Sequence, residues 1–423
     1  MANKSNLAIH GGPRAVQHPL PPMYPGGMRI GIEEETAVLE VLRSKRLFRY
    51  YGPNPGSSKA AELEQSFARH MGTRHALAVS SGSASLICAL VALGVGPGDE
   101  VIVPAYTWIA SAAAVLAAGA VPILAEVDAS LTLDPADVER KINAHTRAII
   151  PVHMRGAPCN MDALMTLARQ HKLKVLEDVA QADGASYHGT RLGGIGDIGA
   201  FSLQFNKIIT CGEGGMVITS DEALYTRAVM YHDVVGGKRN GVPDHDILPG
   251  VNFRMAELQA AVALVQLHKL DGLLTQMRER KAMLKASMAD VAARKGIAFR
   301  TEHDAAGDAA ISVVFYLPEA TIAHYVSAAL SAEGLAAGVM YHPDHSDYHI
   351  YCDWLPILGQ RTWSASGGPW RWHAGPVGYS RDMCPRTLEL LGRAIHLDVS
   401  PDLSSENIEE MAEALNKVLN TVA

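Results

Sequence analysis

Between residues 75 and 220, short apolar runs recur along the chain: HALAVSS, EVIVPAYT, VPILAEV, TRAIIPVHM, KVLEDVA, IGAFSLQ and GMVITS. Each reads as a buried strand. Stretches of helical pattern lie between several of them, SASLICALVALG, WIASAAAVLAAG and MDALMTLARQHK. Strands alternating with helices predict an α/β domain with a mostly parallel sheet. Ahead of this block, GIEEETAVLEVLRS and KAAELEQSFARHMG predict two helices, the second stopped by Gly72. The stretch FRYYGPNPGSS between them predicts a loop. Residues 1 to 30, rich in Pro and Gly, predict an arm over the surface.

From about Asn252 to about Ala292 a long helical pattern runs, with one break at Asp271-Gly272. The pattern then changes. Strand-like AISVVFYLP, helix-like ATIAHYVSAALSAEG and the amphipathic SSENIEEMAEALNKVL predict a smaller α+β domain. The expected division is an N-terminal arm and helix over residues 1–45, a large domain over 46–285 and a small domain over 286–423.

Composition narrows the class of protein. The formal net charge of −7 argues against nucleic acid or an anionic membrane surface as the main partner. No apolar run is long enough to span a bilayer, and MANKSNLAIHGGPRAV lacks the apolar core of a secretion signal. The five cysteines, Cys88, Cys159, Cys211, Cys352 and Cys384, are scattered and form no CxxC pair. That suggests a reducing, cytoplasmic setting with no disulfide framework, iron–sulfur cluster or structural zinc. No metal site is expected.

Ligands of open α/β sheets bind at the carboxyl ends of strands. This rule puts Ser81–Ser83, Tyr106–Trp108, His153, Asp178 and Lys207 on one rim. Four motifs there carry chemistry. In LAVSSGSASLICALVALG, a Gly-Ser turn opens into an apolar helix, whose free N–H groups suit a phosphate. Alone, this would more often be a serine cap. In PAYTWIAS, Trp108 offers a face for a heteroaromatic ring, or fills a gap between sheet and helix.

In KVLEDVAQADGASYHG, a buried strand ends in Glu177-Asp178, with Gln181 following. A carboxylate there needs a cationic or hydrogen-bonding partner, and a protonated pyridine nitrogen would be one; otherwise Asp178 caps the next turn. In GDIGAFSLQFNKIITCGEGG, Ser202 precedes Lys207, and a glycine-rich turn follows. Phe205 and Ile208-Ile209 flank the lysine, which fits poorly with a surface role. In a dry site near other cations a lysine has a lowered pKa and can form a Schiff base. A phosphate cradle, a stacking aromatic, an acid and a lysine together are what pyridoxal phosphate needs.

This ordered set, extended by PVHMRGAPCNMD and NFRMAELQAA, resembles the sugar aminotransferase (DegT/StrS) family of fold-type-I pyridoxal phosphate enzymes over nearly the whole chain. The resemblance implies a large domain with a mostly parallel sheet and a smaller α+β domain. It implies that Lys207 holds the cofactor and shuttles the proton, and that Asp178 pairs with the pyridinium. Gln181 would lie near the phenolic oxygen, Trp108 would stack on the ring, and Gly82, Ser83 and Ser202 would hold the phosphate. Asn252 would reach the phosphate of a neighbouring subunit, which implies a homodimer with shared active sites.

Dehydratases of the family carry histidine where this chain has Lys207, so the lysine favours amino transfer. The amino group would pass from L-glutamate or L-glutamine to a keto or aldehyde group of a sugar, sugar acid or cyclitol. Several stretches resemble the 8-amino-3,8-dideoxy-octulosonate transaminase-like branch, and LAIHGGPRAV is similar to the cyclitol and aminohydroxybenzoate branch. Alternatives are other chemistry with the same cofactor, such as dehydration or decarboxylation, and a non-catalytic regulator on the same fold.

Three further residues are candidates for substrate contact. Arg155 stands in PVHMRG, where many relatives have an apolar or aromatic residue, and could grip a carboxylate bidentately. His232 lies in the glycine-rich MYHDVVGGKRN, and His342 opens the histidine-rich MYHPDHSDYHIYCDW. Both are expected on substrate-facing loops.

Overall fold

Each strand of the central sheet sends alternate residues to opposite layers, so both of its faces are covered. In β1 (His75–Val79), Leu77 and Val79 join one apolar core while Ala76 and Ala78 join another. In β2 (Glu100–Pro104), Val101 and Val103 face the first core and Ile102 the second. Burial on two sides explains why these runs carry little polar alternation. The computed structural model describes residues 6–50, 58–362 and 364–422. Residues 51–57 of the expected loop, the first five residues of the arm, Trp363 and Ala423 lie outside the described residues.

The other strands of the sheet are β3 (Val121–Ala125), β4 (Thr146–Ile149), β5 (Lys174–Asp178), β6 (Ile198–Ser202) and β7 (Gly215–Thr219). The order is β1-β7-β6-β5-β4-β2-β3. Strands β3, β2, β4, β5 and β6 are parallel. Strand β7 runs antiparallel to both its neighbours, so β1 shares the direction of the parallel block.

Helices α1 (Ile32–Ser44), α2 (Lys59–Met71), α3 (Gly82–Ala92), α4 (Ala110–Ala117), α5 (Met161–His171) and α6 (Glu222–His232) surround the sheet. Gly72 ends α2 in the left-handed region at φ 73, where a side chain would be strained.

Helix α7 (Glu257–Lys295) runs 39 residues without a break, about 58 Å. The break expected at Asp271-Gly272 does not occur. A single glycine costs a helix about 1 kcal/mol, and here Leu270, Leu273, Leu274 and Met277 bury the same turn against the large-domain core. From Leu284 onward α7 joins a third core, with Met288 and Val291 packed against the small domain. That domain has a sheet of β8 (Ala298–Phe299), β9 (Ser312–Tyr316), β10 (Gly338–Val339) and β11 (Ala394–Asp398), with every paired strand antiparallel. Helices α8 (Ala320–Ala332), α9 (Pro385–Arg393) and α10 (Ser405–Leu419) complete it.

Two segments cross between the domains. The arm does more than lie on the surface, because Leu7, Ala15 and Val16 are buried in the small-domain core. Its amides at Ala8 and Ala15 donate to Glu333 Oε1 and Oε2 at 2.8 and 2.9 Å. Lys417 Nζ donates to Glu333 Oε2 at 2.8 Å and to the Pro13 carbonyl at 2.6 Å. Further on, Tyr24 lies against Phe205, ring centroids 5.3 Å apart, and Gly26 N donates to the Lys207 carbonyl at 3.3 Å. A Cβ at Gly26 would stand 2.8 Å from Thr210 N, so only glycine lets the strap lie this close. In the opposite direction, Tyr351, Cys352, Trp354 and Ile357 return from the small domain into the large-domain core.

Candidate active site

A cleft of about 700 Å³ opens at the carboxyl ends of the parallel strands. Ser81, Gly82 and Ser83 reach it after β1, Thr107 and Trp108 after β2, and Val152 and Arg155 after β4. Asp178 ends β5, Ser202 ends β6, and Gln181 and Lys207 follow on the loops beyond. The sequence-predicted residues Gly82, Ser83, Trp108, Arg155, Asp178, Gln181, Ser202 and Lys207 therefore meet in one cavity.

Each is set there by local structure. Successive strand residues face opposite ways, so Glu177 and Asp178 part company. Glu177 is fully buried away from the cleft and accepts from the amides of Gly193, Ile195 and Gly196 at 2.8, 2.7 and 2.6 Å. His153, expected on the rim, is also fully buried and joins Glu177. Its Nδ1 accepts from the Cys159 amide at 3.1 Å, so Nε2 carries the proton and donates to Glu177 at 3.1 Å.

Asp178 turns its carboxylate into the cleft. Ser111 Oγ donates to Oδ2 at 2.8 Å and the Ala180 amide to Oδ1 at 3.1 Å. Burial pushes this carboxyl up, while the Ser111 and Ala180 hydrogen bonds pull it down. Ser111 is itself held by Thr107 Oγ1 at 2.8 Å. Sequence reasoning missed Ser111, although its place one turn after Thr107 in a helix facing Asp178 was a usable signal.

Ser81 caps α3 by accepting from the Ala84 amide at 3.1 Å. The Ser85 hydroxyl donates to backbone oxygens of Gly82 and Phe201 at 2.6 and 3.0 Å, which ties the helix start to β6. Gly82 faces Ser202 so closely that a Cβ there would lie 2.7 Å from the serine Cβ. Gln181 accepts from the Arg155 amide at 3.1 Å. Trp108 is half-exposed and tilts against His349, centroids 4.9 Å apart.

Burial pushes the Lys207 ammonium below the ordinary lysine value. Asp183 and Asp178 oppose the shift, and Arg155 adds to it. Asp183 is fully buried, and neither of its side-chain oxygens has a hydrogen-bond partner among the described residues. Burial pushes its carboxyl well up, and the nearby Lys207 pulls it down.

Other expected residues stand elsewhere. His232 is fully buried at the end of α6, its Nδ1 bonded to the Val229 carbonyl at 2.6 Å, and does not line the cleft. The glycine-rich sequence around it is no free loop, because buried Asp233 binds Arg254 at 2.6 Å and Arg239 at 3.1 Å. His342 packs on His324 and His345, away from the cleft. The histidine-rich segment instead supplies His349, whose Nδ1 pairs with Asp347 at 2.8 Å. Asn252 is exposed and does not line this cleft. The small domain also supplies Asp398, and the arm supplies Met23 and Pro25.

Pyridoxal phosphate fits the residues present. Asp178 is buried with neutral hydrogen-bond donors and no cationic side chain bonded to it among the described residues. A protonated ring nitrogen would meet that need. The start of α3 at Gly82, flanked closely by Ser202, offers helix N-terminal amides that suit a phosphate. Among the described residues, no group of three or more His, Cys, Asp or Glu is placed to hold a metal ion. No described helix is long and apolar enough to cross a membrane.

Comparison with known proteins agrees with this geometry. Residues 29–354 match the DegT/DnrJ/EryC1/StrS aminotransferase family. The L-glutamine:2-deoxy-scyllo-inosose aminotransferase of Streptoalloteichus tenebrarius is 33% identical over 431 residues, covering 98% of this chain and 97% of that protein. The GDP-perosamine synthase of Caulobacter vibrioides is 45% identical over 213 residues, 50% of this chain and 56% of that protein, so that match spans about half of each. Among solved structures, 3-amino-5-hydroxybenzoic acid (AHBA) synthase superposes with a TM-score of 0.78 at 27% identity, covering 96% of this chain and 100% of that one.

Proposed function

Because this chain belongs to the DegT/DnrJ/EryC1/StrS aminotransferase family, we propose that it uses pyridoxal phosphate to move an amino group from L-glutamine onto the keto group of a cyclitol. The observation that carries the reading is the meeting of Lys207 and Asp178 in one cleft, the lysine held below its ordinary pKa and the carboxylate buried with no cationic side chain bonded to it among the described residues. The choice of donor and acceptor rests on coverage, since the L-glutamine:2-deoxy-scyllo-inosose aminotransferase aligns over almost the whole of both chains. A nucleotide sugar is the second reading, favoured by the higher identity to GDP-perosamine synthase over half the chain. L-Glutamate is the alternative donor.

When bound, the cofactor supplies an aldehyde that captures amines and a ring that withdraws electrons. The chain supplies the rest. Lys207 offers an amine that loses its proton more readily than an exposed lysine, and it would serve as the proton carrier at the cofactor. Asp178, fixed by Ser111 and the Ala180 amide, would keep the ring nitrogen protonated. Gly82, Ser83 and Ser202 would hold the phosphate, and Trp108 and Gln181 would hold the ring. In a homodimer, Asn252 of a second copy would complete the phosphate site.

The test is the visible spectrum of the purified protein reconstituted with pyridoxal phosphate. Wild type should show the band of a lysine-bound pyridoxal, and L-glutamine should bleach it to the pyridoxamine form. A band that neither glutamine nor glutamate changes would defeat the transaminase reading. A protein that takes up no cofactor would defeat the pyridoxal reading as well.

A further inference from the structure

Arg155 sits in the left-handed region at φ 54 and ψ 39, a conformation that is strained for a non-glycine residue. The backbone is clamped there from several sides. The Arg155 carbonyl accepts from Arg300 Nη2 at 3.0 Å and Ser312 Oγ at 3.5 Å, and the Met154 carbonyl accepts from Arg300 Nη1 at 3.2 Å. The Arg155 amide donates to Gln181. The result is a guanidinium lining the cleft beside Lys207. Among the described residues its side-chain contacts are Tyr106 Oη at 3.4 Å and Asp398 Oδ1 at 3.7 Å.

The second distance matters. Charge-assisted guanidinium–carboxylate bonds close at about 2.7–2.9 Å, often in bidentate pairs. Asp398 neutralises Arg155 from beyond that range and leaves the two-pronged edge of the guanidinium unfilled. Asp398 ends β11 opposite Ser312 and is itself exposed in the cleft. It is a counterion in reach but not locked in place.

The proposed reaction sets a problem that this pair can solve. One cleft must hold an amino acid that carries a carboxylate and, in the next half-reaction, a neutral polyol that carries none. A bare arginine suits the first and is left desolvated and unpaired by the second. We propose that Arg155 binds the carboxylate of the amino donor bidentately and that Asp398 is its exchangeable partner. Asp398 is displaced when the donor enters and returns to neutralise Arg155 when the neutral acceptor binds. This rests on the transaminase reading and names the group that recognises its donor.

Glutaramate, which carries the carboxylate and amide of glutamine but no amine to react, and glutaramide, its uncharged diamide, are the probes. Calorimetric titration of the cofactor-loaded protein should show glutaramate bound at least tenfold more tightly than glutaramide. Arg155→Met should weaken glutaramate by roughly 10–100-fold and leave glutaramide nearly unchanged. Asp398→Asn should tighten glutaramate several-fold and raise the acceptor KM in the second half-reaction. The opposite signs separate this outcome from misfolding, which would weaken every ligand. The proposal fails if Arg155→Met binds glutaramate as wild type does, or if Asp398→Asn weakens it. Repeating the titration without cofactor keeps the two readings apart: the carboxylate preference is measurable even in a protein that transaminates nothing.

Discussion

On the floor of the cleft, Ser81–Ser83, Asp178 and Ser202 sit at the ends of strands in one sheet, with Lys207 on the loop just beyond. At the mouth, Met23, Pro25, Arg155, His349 and Asp398 come from separate stretches of chain in both domains. The ladder of the sheet fixes the floor, so its geometry survives as long as the large domain is folded. The mouth exists only while the arm and the small domain are docked. The proposed cofactor chemistry draws on the first surface, and the proposed recognition of the donor carboxylate by Arg155 on the second. The two should therefore break in different ways.

The largest effect should come from the floor. Lys207→Ala should abolish the lysine-bound band and slow transamination by roughly 10⁴-fold or more, read by single-turnover absorbance. Asp178→Ala should follow at about 10²–10⁴-fold while cofactor still binds, and an unchanged rate would refute its role at the ring nitrogen.

Gly26→Ala tests the arm. Its Cβ would meet the Ile209–Thr210 backbone at 2.8–2.9 Å, so the strap must lift. The melting temperature should fall by an amount equivalent to about 1–3 kcal/mol, with faster proteolysis near residue 26. If the arm stays protected, its packing over the Lys207 loop is not what holds it.

Ser111→Ala removes one of the donors to Asp178 and should cost about 1 kcal/mol, roughly fivefold in rate, without loss of cofactor. The smallest effect links mouth to floor. Arg155 is one of the charges that depress Lys207, so Arg155→Met should move the lysine titration upward, toward the ordinary lysine value. The neutral amine is then available only at higher pH, and the rising limb of the pH profile of the donor half-reaction shifts upward with it. No shift in the pH profile would mean that Arg155 does not act on the lysine.

The same contrast explains what could be read from sequence. Lys207, Asp178, Gly82 and Ser202 stand in contiguous strand–turn motifs, where a few neighbouring residues determine both position and chemistry. His349 and Asp398 carry no such signature. The first lies in a long irregular excursion whose histidines look equivalent on paper, and the second at the end of a small-domain strand distant in sequence from the motifs. His232 misled because its glycine-rich surroundings suggest a loop, whereas Asp233 staples that segment shut through Arg239 and Arg254. The uninterrupted α7 likewise depends on leucines packed from another layer, which local propensity does not register. Asp183 carries no signature either, since the burial of its carboxyl without a hydrogen-bond partner among the described residues arises only in the fold.

The hold of Glu333 and Lys417 on the arm also bears on how the protein is made. Residues 8 to 15 leave the ribosome early, but their partners are a side chain at 333 and another in the final helix. At about 5–20 residues per second, the arm waits on the order of 20–80 s before its anchor exists. During that interval the strap over the Lys207 loop has no fixed end, and the nascent large domain holds a cleft with an unfinished rim. Translation that stalls within the last helix would thus impair the opposite end of the chain.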